Sequence, residues 1–395
     1  MFYNFNHIVF ALLAVVFSFC GCEKVIVIEG KPAVEGIQGN PDKDVYYTAL
    51  SYPEGYDWIG DPSGGEVEIS LLLLRNSDLL LSLNANSLNQ VSAQADMHYL
   101  FGEDLYCLWS DGEKCSVKKN GDYCCRWQSE ERLCDLLVSD GEIFTLGIRG
   151  GKELIFRQNG SILLQEENAE LTNGLFEDDG EVCFAFARLL ESNDNTVARQ
   201  YFLVHGPERT QIIPPMEASR LYSVTRQDGV LHTLGQIAGK KQLIAVKGPN
   251  AYVISYSQYQ DLRGAQLVSC DGKILIHAQV KTASVWRDIW WEGTKTFHIT
   301  EPGLQLLTSP SSSLKFGCLS SIGARTGPLT LFDGNNSCKL DSRYTFFSSN
   351  AALFTTRGAI IGVNDSAKNF RPVIINGADT LRYTFNGYFT RISLP

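Results

Sequence analysis

Short apolar runs, each stopped by a pair of turn-forming residues, recur along this chain. The stretch Leu136 to Glu166 shows the unit. Leu136 to Val138 ends at Asp140-Gly141, and Ile143 to Ile148 ends at Gly150-Gly151. Leu154 to Arg157 ends at Asn159-Gly160, and Ser161 to Gln165 follows. Apolar runs punctuated by Asp-Gly and Asn-Gly predict antiparallel hairpins, because both turn positions need a left-handed backbone. The unit therefore predicts a sheet of four short strands. No stretch sustains a helical apolar stripe without a Gly or Asp-Gly break.

The unit repeats. The turn after the third strand reads Arg75-Asn76-Ser77, Lys119-Asn120-Gly121, Gln158-Asn159-Gly160 and Val204-His205-Gly206. It continues as Val246-Lys247-Gly248, Trp291-Glu292-Gly293, Phe332-Asp333-Gly334 and Ile375-Asn376-Gly377. Successive markers lie 44, 39, 46, 42, 45, 41 and 43 residues apart. A second marker, Asp-Gly before the second strand, falls at Gly141, Gly180, Gly229 and Gly272. Four strands in about 40–45 residues is the period of a β-propeller blade. The expected fold is thus all-β, a propeller over residues 45–395. Such blades pack on both faces, so runs such as Leu71 to Leu74, Leu79 to Leu81, Cys124 to Trp127 and Ile289 to Trp291 are expected to be buried on both sides.

The ends set the blade number. Val45 to Tyr52, Val67 to Leu74 and Leu79 to Leu83 read as strands two, three and four without a first. Tyr388 to Leu394 reads as one orphan strand. Pairing the two ends closes the ring, removes open edges and gives eight four-stranded blades. Seven blades with a decorating hairpin is the alternative.

The N-terminus reads as an address. Ile8 to Phe19 is apolar, too short to span a bilayer as a helix and suited to a signal-peptide core. Phe19-Cys20-Gly21-Cys22 follows and resembles a bacterial lipobox, with small Gly21 before Cys22. On that resemblance residues 1–21 are a signal peptide and Cys22 is the lipidated N-terminus, giving a membrane partner through an acyl chain. Residues 22–44 carry Gly30, Pro32, Gly36, Gly39 and Pro41 and read as a tether, with an apolar patch at Val25 to Ile28.

Hairpins ending in Lys-Asn-Gly or a relative, with Asp-Gly before the preceding strand, resemble the repeat propellers found among lipoproteins of the Bacteroidetes. The resemblance covers nearly all of residues 45–395 and rests on structural motifs. It implies the fold and an outer-membrane address, and carries over no functional residue. Lys24 directly after Glu23 leaves periplasmic and surface placement as alternatives.

Net charge is −10, which argues against a nucleic-acid partner. Of the 11 cysteines, Cys107, Cys115, Cys124, Cys125 and Cys134 crowd into one region. They show no Cys-x-x-Cys pair and no histidine at ligand spacing, so no metal site is expected. Cys107 and Cys115 flank a turn at Asp111-Gly112, where a disulfide competes with the simpler reading of buried thiols. His232 and His277 are read as hydrogen-bonding residues between blades rather than as ligands.

No nucleophile elbow, zincin motif, Walker loop or Rossmann fingerprint occurs, so no catalytic residue and no cofactor is assigned. Propellers commonly bind on the face bearing the loops between strands two and three. There Trp286 beside Arg287, with Arg325 and Arg199, are the candidate ligand-binding residues, suited to a sugar ring or a protein partner. The sequence leads to a binding or scaffolding module for a glycan or an envelope protein. A carbohydrate-active hydrolase or lyase with carboxylates in the channel is the second reading, and a purely structural protein the third.

Overall fold

The computed structural model describes residues 27–30, 45–59, 67–86, 98–111, 114–128, 131–191, 197–206, 208–212, 218–270, 273–299, 304–307, 318–322, 330–332, 337–348, 351–355, 358–376 and 379–393. These residues form eight antiparallel sheets. Blade one is built from both ends of the chain: Asn386–Ser393 inside, then Tyr46–Tyr52, Ile69–Arg75 and Asp78–Ala85. Blades two to six each run outward in chain order. Blade three, for example, is Glu131–Ser139, Glu142–Arg149, Glu153–Gln158 and Ser161–Glu166. Blade four is Ala169–Asp178, Glu181–Glu191, Val197–His205 and Glu208–Ile212. The short strands from Leu304–Leu307 to Ser337–Lys339 form blade seven. Blade eight runs from Tyr344–Thr345 to Asp379–Tyr383. The eight-bladed closure thus holds over the alternative of seven. Val27–Gly30, inside the segment read as a tether, adds an outer strand to blade eight, with Val27 in register with Tyr383. Val27 and Ile28 of the apolar patch are its β-branched, strand-favouring residues.

The two sequence markers are one structural device. Asp140-Gly141 and Asn159-Gly160 both carry positive φ at both positions (48° and 79°, 50° and 82°), as the tight hairpin requires. The Asn159 side chain then accepts the Ile143 N–H at 2.9 Å, while the Asn159 N–H reaches the Ile143 carbonyl at 2.7 Å. Asn120 does the same to Leu105 and Asn76 to Val45. The asparagine therefore ties the outer turn to the start of the second strand. At Gly206 and Gly248, where the asparagine is missing, only the backbone bond remains.

The core lies in the seams between blades. Middle strands are buried on both faces, as Leu71 to Leu74 and Ile289 to Trp291 show. Each such side chain contributes about 1.5–3 kcal/mol. Phe156 of blade three meets Phe184 of blade four at 4.8 Å between centroids, within one apolar cluster. Another cluster joins Tyr47, Leu72 and Phe389 of blade one to Ile360 and Ile374 of blade eight, and so closes the ring. Inner strands are laced across seams. Asp135 accepts the Leu175 N–H at 2.6 Å, and Asn173 accepts the Val224 N–H at 2.9 Å.

Two expectations need correction, and one pair of alternatives is decided. Leu79 and Leu80 are exposed, and so is Cys124, because outer strands lie where neighbouring blades diverge. Cys107 and Cys115 do not face each other. Cys107 pairs in register with Lys118 and Cys115 with Ser110, so the thiols sit on opposite faces and in different seams. Both thiols are buried and neither is in a disulfide, in keeping with the buried-thiol reading. His277 bonds inside its own blade, to Asp288 at 2.8 Å and Gln266 at 3.2 Å, not across a seam. The segment read as a signal peptide, Cys22 and Arg325 lie outside the described residues.

Candidate functional site

A cavity of about 440 Å³ opens between blades three and four, within the range of small-ligand and side-chain pockets. Its floor is apolar: Phe144 and Phe156 from blade three, Val182 and Val204 from blade four. Leu163 and Leu164 of the outer strand of blade three form one wall, and Leu163 is 53% exposed. The cavity lies on the end of the propeller that carries the Asp-Gly and Asn-Gly turns.

The rim is acidic, and turn chemistry explains why. Asp140 sits in the left-handed turn position that aspartate tolerates. Glu142 and Glu181 each follow an Asp-Gly turn, so they hold equivalent places on adjoining blades. Glu142 accepts the Gln158 amide at 3.2 Å and is bonded by the Asn159 amide. Glu181 lies directly against Gly206, where any Cβ would collide with its carboxylate. Glu208 opens the outer strand of blade four. None of these four carboxylates forms a salt bridge among the described residues.

One cation reaches the cavity, and it is already engaged. Arg209 Nη1 lies 2.6 Å from Glu166 Oε2, and its guanidinium sits 3.9 Å from the Phe202 ring centroid. Arg188 bonds the other oxygen of Glu166. Burial alone would raise the Glu166 carboxyl, but the two guanidinium groups outweigh it and hold it below its ordinary range. The cavity wall is thus pinned across the seam, and the four rim carboxylates outweigh the single net positive charge left by Arg188, Arg209 and Glu166.

Of the residues expected to bind ligand, the described ones lie on different blades: Trp286 and Arg287 on blade six, Arg199 on blade four. Trp286 and Arg287 stand on the third strand of blade six, Val285–Glu292, and not in a loop. The turn before that strand has only Ala283 and Ser284. Trp286 is half-buried, with the Arg263 guanidinium 4.1 Å from its ring centroid and Lys281 at 5.9 Å. Arg287 Nε is buried with no hydrogen-bond partner among the described residues. Arg199 lies on blade four and shares Glu170 with Arg220 of blade five, at 3.1 and 3.0 Å. Arg325 lies outside the described residues.

The sequence held one usable signal for the cavity. Glutamate follows the Asp-Gly marker in blades three and four, where blades five and six have Val230 and Lys273. Among the described residues no group of three His, Cys, Asp or Glu side chains is placed to hold a metal ion.

Neither a family model nor a curated protein matches the sequence. Similarity appears among solved structures. Dihydro-heme d1 dehydrogenase NirN in complex with DHE is 11% identical, with a TM-score of 0.50 over 93% of this chain and 79% of that one. The β-propeller domain of the Trilobed protease from Pyrococcus furiosus is 8% identical, TM-score 0.47, over 80% and 97%. The Dos1 propeller is 10% identical, TM-score 0.44, over 91% and 95%. At these identities the likeness is one of fold: the chain is a β-propeller repeat protein.

Proposed function

We propose that this chain is a binding and scaffolding module of the bacterial envelope, tethered to the outer membrane by an acyl chain on Cys22. The groove between blades three and four is its binding site, and its partner is a protein. The groove itself carries the reading: an apolar floor, an exposed Leu163 and a charged rim are the parts of a protein-recognition surface. Among the described residues no Trp or Tyr lines it, so they offer little to a sugar ring. Trp286, the best sugar-stacking candidate in the sequence, is engaged by Arg263. The anchor is tested by labelling cells with a palmitate analogue. Label on the wild type and none on Cys22→Ala is expected; equal label on both contradicts the anchor.

A second reading has one observation behind it. Glu142 and Glu181 line one groove from equivalent positions on two blades, a place from which a carbohydrate hydrolase draws acid and base. Glu142, however, is engaged by two side-chain amides of its own blade. Polysaccharide hydrolysis lost in Glu181→Gln would favour this reading over the first.

A further inference from the structure

We infer that the groove between blades three and four receives a basic, extended segment of a partner polypeptide, with an apolar side chain set between lysines or arginines. The inference rests on the binding-module reading and adds the chemistry of the partner. Three features carry it.

The first is charge. Asp140, Glu142, Glu181 and Glu208 face one opening, and Arg209 is held by Glu166. An acidic segment entering there meets like charge, while a basic one is steered in. The second is shape. The cavity's apolar lining residues Phe156, Val182 and Val204 are buried, while Asp140, Glu181 and Glu208 are exposed at its rim. That order matches a segment whose central side chain is apolar and whose neighbours are cationic, as polar rims surround apolar centres in protein interfaces. The third is exposure. Leu163, which lines the cavity from the outermost strand of blade three, is 53% exposed. An open apolar side chain at the edge of a groove offers surface that a peptide covers. Phe156 and Val204, by contrast, are buried in the seam and hold the floor in place. Rigid floor and pinned wall mean that binding needs little reorganisation.

The test uses the chain from residue 23 onward and three dye-labelled synthetic peptides, followed by fluorescence anisotropy. The peptides alternate Lys with Leu, Glu with Leu, and Lys with Ser. Lys/Leu is expected to bind, more tightly at low salt, and at least tenfold better than either of the others. Glu181→Gln with Glu208→Gln should weaken it about tenfold, and Leu163→Arg should abolish it. Glu292→Gln on blade six should leave it unchanged. All substituted groups lie at or near the surface, so matched thermal melts show that the variants fold. Equal binding of Lys/Leu and Glu/Leu, or of Lys/Leu and Lys/Ser, overturns the inference, as does binding that survives the groove variants. Should Lys/Leu fail to bind while a photo-reactive residue at position 163 still forms protein adducts in the envelope, the basic segment is wrong and the protein-binding reading stands. Failure of both removes both.

Discussion

The hydroxyl oxygens of Thr48 and Thr390 lie 2.8 Å apart, joining residues 342 positions distant in the chain. Both side chains are buried. The pair sits where the C-terminal strand enters blade one, in register from Tyr46–Ser393 to Tyr52–Asn386. Removing one hydroxyl leaves its partner buried and unmet, at about 1–3 kcal/mol. Removing both with an apolar group of similar shape restores most of that loss. The Thr48→Val, Thr390→Val double variant is therefore expected to lose less stability than the sum of the two single variants. Urea unfolding of the double cycle checks it. Deleting residues 386–395 removes the inner strand of blade one, opens the seams that hold Tyr47 and Leu50, and is expected to abolish cooperative unfolding.

Glu131 and Glu166 both pair with arginine at seams, but not equally. Glu131 and Arg157 side chains are 1% and 7% exposed, and Trp127 of blade two donates to Glu131 at 3.2 Å. Glu166 is 8% exposed, but its partners Arg188 and Arg209 are 37% and 28% exposed. Leaving Arg157 buried without its charge partner costs about 3–5 kcal/mol. Solvent screens the two arginines of Glu166, so the corresponding loss is smaller, about 1–2 kcal/mol. Denaturation of Glu131→Gln and Glu166→Gln is expected to show this order. A larger loss in Glu166→Gln contradicts the burial argument.

His232 sets a pH dependence. Burial, followed by the Lys247 charge, holds its imidazole below the ordinary value of 6.5. The folded chain then binds fewer protons at this site than the unfolded chain just below that pH, so stability falls as pH drops through 6.5 toward the lowered folded value. Glu166, held below its ordinary 4.5, loses its contribution only at lower pH. Unfolding free energy is expected to drop between pH 7.5 and 5.5, and to drop less in His232→Leu. Identical slopes in the two proteins contradict the assignment.

Cysteine reactivity follows the seams. Burial pushes the Cys107 and Cys183 thiols up to about 12. Cys124 is exposed on the outer strand of blade two. Maleimide labelling of the folded protein at pH 8, read by peptide mass mapping, is expected to modify Cys124 first and to leave Cys107 and Cys183 until denaturant is added.

Much of the fold was legible because turn chemistry is local. Asp140-Gly141 and Asn159-Gly160 announce their hairpins within two residues. The orphan C-terminal strand announced closure because the first blade lacked a strand. What failed to show was radial and lateral position. Leu79 to Leu81 look like a core strand, yet they lie on an outer one. The parity that separates Cys107 from Cys115 depends on hairpin register. The groove is formed by residues that meet only when two blades adjoin, as with Arg209 and Glu166, 43 positions apart. Trp286 drew attention because Arg287 adjoins it in sequence, but Arg263 covers it from another strand.

The most direct test of the binding site compares two positions on the molecule. A photo-reactive amino acid is placed at position 163, beside the groove, or at position 286, on blade six, and cells are irradiated with the envelope intact. A discrete protein adduct from position 163, lost when Glu181→Gln and Glu208→Gln are added, is the expected result. Adducts from position 286 and none from 163 would contradict the account and return the site to the opposite face.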